Sequence, residues 1–339
     1  MAIISAAAPS GQVSDKRSES QWATVFRRFR RHRAAMTSLV LLLIFLIASL
    51  IAVYVAPYPR DEFNLDKQFL APMQRDVSGN LHILGTDKIG RDLFTRVLYA
   101  ARVSLMLALL VATFSEVIGV ALGLLAGYYL GWVDTIITRF LEFISTFPVL
   151  SILLILNSVL LQNPGLLPIP GWFNGLVGFV TGVPEKEQAR LSLIIIALSI
   201  LTWTGTARLM RGMVFSVREQ PYIESSRALG GSDWRIVLRH ILPNSLPPLI
   251  VDYTLGINGI LILESVLSLL GFGVQDPTPT WGNMLADAQT NMLNYPWMPL
   301  VSGIPLVICA LAVNFIGDGL RDALDPRALI GGKRPKPAK

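Results

Sequence analysis

The chain has few charged residues and almost no cysteine. Its 339 residues include one cysteine, and 15% of the residues are charged, against roughly a quarter in an average soluble domain. A single cysteine excludes a disulfide within the chain and supplies too few thiolates for a metal site. This residue, Cys309, lies within an apolar run, which predicts a small buried side chain without a chemical role.

Motifs of catalysis are also missing. The sequence contains no Gly-x-x-x-x-Gly-Lys-Ser/Thr phosphate loop, so we expect that this chain does not hydrolyse ATP. It has no His-Glu-x-x-His or Cys-x-x-Cys pair, and its histidines, His32, His82 and His240, are far apart. We therefore expect neither an enzyme active site nor a resident metal or cofactor in this chain.

Long apolar runs are the main feature that is present. A transmembrane helix needs ~20 mostly apolar residues. The six predicted spans are Thr37–Tyr54, Val103–Tyr128, Phe140–Leu161, Leu191–Met210, Leu246–Phe272 and Pro299–Ile316. The first run is longer than the ~7–15-residue apolar core of a signal peptide, which favours a retained helix over a cleaved signal. The sequence predicts an all-α membrane protein with six transmembrane helices.

The formal net charge is +6, and the basic residues lie mostly beside the apolar runs. They concentrate in the two tails and after the fourth predicted span, whereas residues 274–297 contain no Lys or Arg. Basic segments stay on the cytoplasmic side, so we expect a multi-pass membrane protein with both termini inside. The basic loop after the first span is an exception. Because no nucleic-acid-binding motif is present, we expect contact with the lipid bilayer and no nucleic-acid partner.

These patterns divide the chain into five predicted parts. They are a cytoplasmic tail with an amphipathic basic helix (1–36), a first transmembrane helix (37–56), an external loop with an interfacial helix (57–102), a core with five transmembrane helices (103–320) and a second cytoplasmic tail (321–339). In the first part Trp22, Val25, Phe26 and Phe29 share one helical face. Both a helix lying on an anionic leaflet and an ordinary basic flank fit this pattern.

The second predicted span carries a regular stripe of small residues. Ser115, Gly119, Gly123 and Gly127 recur at every fourth position. Such stripes let helix backbones approach closely within a membrane. The stripe therefore predicts helix packing, and a pore lining is the alternative.

The segment from residue 218 to residue 244 is the most informative part of the chain. It predicts a short helix over Tyr222–Leu229, ended by Gly230 and Gly231, since glycine tolerates the left-handed conformation of a helix C-cap. A second helix is expected over Asp233–Leu242, capped by the preceding serine and stopped by Pro243. Such a helix-turn-helix exposes charged and apolar side chains together, which suits docking onto another protein.

This segment resembles the EAA loop of ABC importer permeases. The glutamate, the glycine and the distal Leu-Pro of the family pattern are present, and two serines replace its two alanines. The resemblance implies that the loop couples the permease to its ATPases. The implied coupling residues are Glu224, Ser225, Ser226, Arg227, Ala228, Gly230, Leu242 and Pro243.

Three further stretches are similar to one branch of that family, the C-type permeases of oligopeptide, dipeptide and nickel importers. They lie at Leu84–Leu105, Glu264–Gly282 and Asn314–Pro326. Together with the loop, the resemblance covers residues 25–328. The segment Gln162–Arg190, with several prolines and glycines, is a longer external loop than this branch predicts, and the sequence offers no account of it.

The resemblance implies the transmembrane-domain fold of a type I ABC importer, located in the bacterial inner membrane. The implied partners are a B-type permease subunit, two ATPase subunits that bind ATP and Mg, and a periplasmic or lipid-anchored peptide-binding protein. Peptides are the expected substrate, with nickel or another solute as the competing possibility. A proton-driven secondary transporter is the main alternative from a different class, and a membrane scaffold or insertase is a further one.

Three polar residues in the predicted spans are candidates for the translocation path. They are Glu116, Asn258 and Glu264. Ionisable residues in a membrane are costly to bury and are functional candidates for that reason. For the two carboxylates, the alternative is a bond to a neighbouring helix, which is a packing role.

Overall fold

The computed structural model describes residues 21–162 and 168–325. Most of these residues are helical. The helices are α1 (Gln21–Arg31), α2 (Arg33–Leu50), α3 (Ala52–Val55), α4 (Leu93–Tyr129), α5 (Gly131–Thr146), α6 (Val149–Gln162), α7 (Gly171–Thr181), α8 (Glu185–Thr202), α9 (Thr204–Arg218), α10 (Pro221–Ala228), α11 (Asp233–Ile236), α12 (Leu242–Leu269), α13 (Trp281–Gln289) and α14 (Trp297–Leu324). Two short strands, β1 (Gln74–Arg75) and β2 (Leu81–His82), pair antiparallel. The outer parts of the two predicted tails lie outside the described residues.

Four helical stretches have the length and apolar composition of membrane spans. They are α2, α4, α14 and the stretch Asp233–Leu269 that contains α12. Two more spans result when bent pairs are counted as one, α5 with α6 at an angle of 80° and α8 with α9 at 41°. Phe147 between α5 and α6 is extended, because the residue before a proline, here Pro148, avoids the helical conformation. The predicted number of six is thus reached with the third and fourth spans broken.

Close packing of α4 on α9 forms the centre of the bundle. A Cβ atom added at Gly123 would lie 2.4 Å from the carbonyl oxygen of Ala207, and one at Gly127 would lie 2.6 Å from Cβ of Val214. Gly119 meets α9 in the same way, at Thr206. The predicted packing role is therefore confirmed for the three glycines of the stripe.

The N-terminal helix α1 packs on the far end of α14. Phe29 is buried against Ala323 with help from Val25, whereas Phe26 stays 63% exposed. The side chain of Trp22 lies outside the described part of the structure. One part of the predicted apolar face of α1 therefore contacts α14, and the other part is exposed.

A cluster of ion pairs fixes the N-terminal end of α4. Arg96 in the first turns of α4 donates to Asp276 at 2.9 Å, and Arg91 donates to the same carboxylate at 3.1 Å. Arg91 also donates to Asp87 at 2.6 Å, and Lys88 reaches Asp287 of α13 at 2.6 Å. These contacts account for much of the unexpected basic charge after the first span, because it is paired with acids from the α12–α13 region.

The segment that the sequence left unexplained contains helix α7. Phe173 of α7 contacts Phe114 of α4, with ring centroids 5.5 Å apart. Arg102 of α4 donates to the carbonyl oxygens of Phe179 and Val180 near the end of α7. The segment therefore packs on the bundle through contacts between α7 and α4. Its residues 163–167 are not described.

Candidate translocation and coupling sites

The residues 218–244 fold into the predicted pair of helices, with Gly230 at the turn. Helix α10 begins with Pro221, a favoured first residue because proline lacks the N–H that a helix start leaves unpaired. Gly230 has a φ of +79°, and its N–H donates to the carbonyl of Arg227 at 2.9 Å. Ser232 occupies the N-cap position of α11, but its side chain makes no capping hydrogen bond.

Pro243 does not end the second helix, so that prediction is wrong. After α11 the chain makes one π-helical turn over Val237–Ile241 and continues directly into α12. Pro243 lies in the first turn of α12, where a missing N–H costs least. The wider turn before it takes up the irregularity, as π turns do within longer helices. The second helix of the loop and the fifth span are consequently one helical unit.

The outer face of this helix pair is exposed and partly apolar. Leu229 is 89% exposed and Trp234 is 71% exposed, beside the exposed charges of Glu224 and Arg227. Ser225, Ala228, Gly230 and Pro243 share this exposure, whereas Ser226 and Leu242 are half-buried. Exposed apolar groups rimmed by polar ones are typical of protein contact sites.

The inner face of the pair is fixed to the bundle. Ile223 of α10 and Ile236 of α11 are fully buried in a cluster with Met210 and Val214 of α9. Tyr128 at the end of α4 donates from its hydroxyl to Asp233 at 2.6 Å. The guanidinium of Arg227 lies 5.4 Å from the centroid of the Tyr128 ring.

A cavity of about 370 Å³ opens between α4, α9 and α12. Two carboxyl groups, those of Glu116 and Asp252, lie on the wall of this cavity. The hydroxyl of Thr206 is within donating distance of both, at 3.1 Å from Glu116 and 2.8 Å from Asp252. One hydroxyl hydrogen serves only one of these acceptors at a time. The second carboxylate oxygen of Glu116 is buried and has no hydrogen-bond partner among the described residues. No Lys or Arg is among the described residues that line this cavity.

The structure places Glu264 and Asn258 away from this cavity. Glu264 is 2% exposed and accepts hydrogen bonds from Ser268 at 2.8 Å and Thr280 at 2.9 Å. This is the geometry of the packing alternative, in which the carboxylate joins α12 to the start of α13. Asn258 donates to Asn314 of α14 at 3.1 Å. The three predicted path residues are therefore not brought together.

Comparison with known proteins identifies the family. The family described as "Binding-protein-dependent transport system inner membrane component" matches residues 119–330, and the "N-terminal TM domain of oligopeptide transport permease C" matches residues 20–72. The chain belongs to this permease family. The predicted all-α, multi-pass membrane fold and the predicted branch, the C-type permeases of oligopeptide and dipeptide ABC importers, are confirmed.

Curated relatives of the permease match nearly its whole length. The "Dipeptide transport system permease protein DppC" of Alkalihalophilus pseudofirmus is 34% identical, covering 91% of this chain and 90% of the relative. The "Glutathione transport system permease protein GsiD" of Pectobacterium atrosepticum is 33% identical, covering 93% and 94%. The "Oligopeptide transport system permease protein OppC" of Haemophilus influenzae is 32% identical, covering 93% and 94%.

Among solved structures, the permease is similar to a chain of the "MetNI methionine ABC transporter" in its inward-facing conformations. The TM-score is 0.46 at 20% sequence identity, over 69% of this chain and 96% of that chain. This similarity is too low to assign roles to individual helices or residues.

Sequence reasoning missed one acid of the permease cavity. Asp252 lies inside the predicted fifth span, so the rule that pointed to Glu116 applied to it equally. Nothing in the sequence pairs Asp252 with Glu116, because their proximity depends on how α4, α9 and α12 pack. The roles predicted for the coupling and path residues stay predictions.

Proposed function

We propose that this permease forms half of the translocation path of an ATP-driven peptide importer. Its partners are a B-type permease, two ATPase subunits that bind ATP and Mg, and a peptide-binding protein outside the cell. The observation that supports the substrate class is the shared chemistry of the relatives, whose names refer to dipeptides, glutathione and oligopeptides.

The cavity between α4, α9 and α12 is the proposed contribution of this chain to the path. Glu116 and Asp252 place two carboxyl groups on its wall. Every free peptide carries a positively charged amino terminus, which an ionised carboxyl group attracts strongly in a low-dielectric surrounding. Glu264 and Asn258 have a supporting role in this proposal, because they hold α12 against α13 and α14.

The residues 218–244 are the proposed dock for one ATPase. The exposed Leu229 and Trp234 offer an apolar contact, and the neighbouring charges offer specificity. Movement of the dock reaches the membrane as a rigid-body motion because α11 continues into α12. We hereafter name these residues the coupling segment.

Transport by the complete assembly in liposomes tests the proposed function. The permease, its B-type partner, the ATPases and the binding protein are reconstituted, and uptake of a dipeptide, a tripeptide, glutathione and a nickel chelate is compared. We expect peptide uptake that requires ATP. Uptake of the nickel chelate with no peptide uptake would contradict the substrate class. Proton-driven uptake by this chain alone would contradict the whole assignment.

The proposed orientation places both termini and the coupling segment in the cytoplasm. Cys309 is buried and is first replaced by serine, and single cysteines are then introduced at the exposed positions Ser232 and Thr290. In intact cells an impermeant thiol reagent should label position 290 and leave position 232 unlabelled. Labelling of position 232 but not of position 290 would show that the proposed orientation is inverted.

A further inference from the structure

We propose that Tyr128 is a positioning residue that ties the coupling segment to α4. This inference rests on the proposed docking function of that segment. It assigns a direct link between α10, α11 and the end of α4 to one side chain, which no sequence motif singled out.

Tyr128 contacts both helices of the coupling segment at once. It lies in the last turn of α4 and is 6% exposed. Its hydroxyl donates to Asp233, the first residue of α11, and its ring lies under Arg227 in the last turn of α10. A hydrogen bond to a carboxylate is stronger than one between neutral groups, and the face of an aromatic ring attracts a guanidinium electrostatically. One aromatic side chain thus bridges the two sides of the turn at Gly230.

The end of α4 is held in place on its other side by α9. Arg218 in the last turn of α9 donates to the carbonyl oxygen of Tyr128 at 3.0 Å. Gly127, one residue earlier, packs directly on Val214 of α9. Tyr128 therefore projects from a closely packed pair of helices, and its side chain connects α4 to α10 and α11.

Movement of the coupling segment reaches the cavity through three helices. It enters α12, which carries Asp252, through the continuous helix from α11. It enters α9, which carries Thr206, along the chain, because α9 is followed by α10 after two residues. It enters α4, which carries Glu116, directly through Tyr128. With all three links, the walls that hold the two carboxyl groups respond to the same displacement.

Removing one oxygen atom weakens the direct link to α4 and leaves the links to α9 and α12 in place. Tyr128→Phe keeps the ring beneath Arg227 and loses the hydrogen bond to Asp233. In the reconstituted transporter we expect the ATPases to co-purify at the wild-type level and to hydrolyse ATP. Uptake per ATP hydrolysed should fall several-fold, up to roughly tenfold, since a bond to a charged group is lost. Tyr129→Phe is the matched control, because Tyr129 is 55% exposed, and it should leave the ratio unchanged.

Asp233→Ala provides an independent variant, because it removes the acceptor from an exposed position. It should lower the same ratio, and the double variant with Tyr128→Phe should be no worse than either single change. A wild-type ratio in Tyr128→Phe, additive effects in the double variant, or loss of the ATPases from Tyr128→Phe would each overturn the proposal. A Gly230→Asp variant that still binds ATPases and transports would instead overturn the docking function itself.

Discussion

Replacing Gly230 by aspartate separates folding of the permease from docking of its ATPases. Gly230 has a φ of +79°, and a Cβ atom built there meets no atom within 4 Å. The cost within the chain is therefore confined to the left-handed backbone, about 1–2 kcal/mol. That is a small part of the roughly 5–15 kcal/mol by which a typical domain is stable. We expect the variant to fold and insert normally.

Docking should suffer far more than folding. An unpaired charge buried at a protein interface costs about 2–5 kcal/mol, which weakens association by roughly 30-fold or more. The predicted result is loss of the ATPases and of transport. Glu224→Lys changes an exposed charge at the same surface and should weaken assembly less.

The assay is co-purification of the ATPases with tagged permease, measured beside peptide uptake. Gly230→Asn is one control, because asparagine tolerates the left-handed conformation and adds no charge. This variant should retain more ATPase than Gly230→Asp.

Gly231→Asp is the contrasting control, since a Cβ atom there would lie 2.8 Å from the carbonyl oxygen of Ser226. This variant should lower the yield of folded permease. If Gly230→Asp holds its ATPases at the wild-type level and still transports, the docking argument is refuted.

Three other predictions follow from the packing, the cavity and the β1–β2 hairpin. Gly123→Leu forces a side chain against the backbone of α9 and should cost about 1–3 kcal/mol, seen as a lower unfolding temperature in detergent, whereas Gly212→Leu, in open space, should not. Thr206→Val removes the hydroxyl shared by the two cavity acids and should lower uptake roughly tenfold with the ATPases still bound; unchanged uptake would exclude a role for this network. Lys67 holds the pKa of Asp76 below its ordinary value through a 2.8 Å ion pair. This stabilisation is complete above pH ~4 and is lost as the pH falls further. The protection of the hairpin amides, measured against the intrinsic exchange rate at each pH, should therefore fall at low pH, and Asp76→Asn should lose this dependence.

Local patterns of the sequence predicted the span positions and the helix pair. Each apolar run is a property of ~20 consecutive residues, and the turn at Gly230 depends on two adjacent glycines. The stripe through Gly119, Gly123 and Gly127 was equally legible, because its four-residue period places it on one face whatever the partner helix is.

Features that depend on the direction of a helix axis or on residues distant in sequence were not predictable. Hydropathy does not record that the chain bends by 41° at Trp203, where no proline marks the break. Pro243 predicts a helix end because a helix interior normally excludes proline, and the π turn that places it at a helix start depends on longer-range packing. The meeting of Glu116 with Asp252 through Thr206 depends on three helices at once.

The ion pairs at Arg96 hold the N-terminal end of α4 in place, so that α4 can act as a lever about that end. With a rise of 1.5 Å per residue, Glu116 lies about 30 Å along the axis from Arg96, and Tyr128 lies about 48 Å from it. In the proposed coupling, a sideways displacement applied at Tyr128 would therefore arrive at Glu116 reduced to about three-fifths. The N-terminal end, bound to Asp276, would move least. The position of a residue along α4 would then set the share of the displacement that it receives.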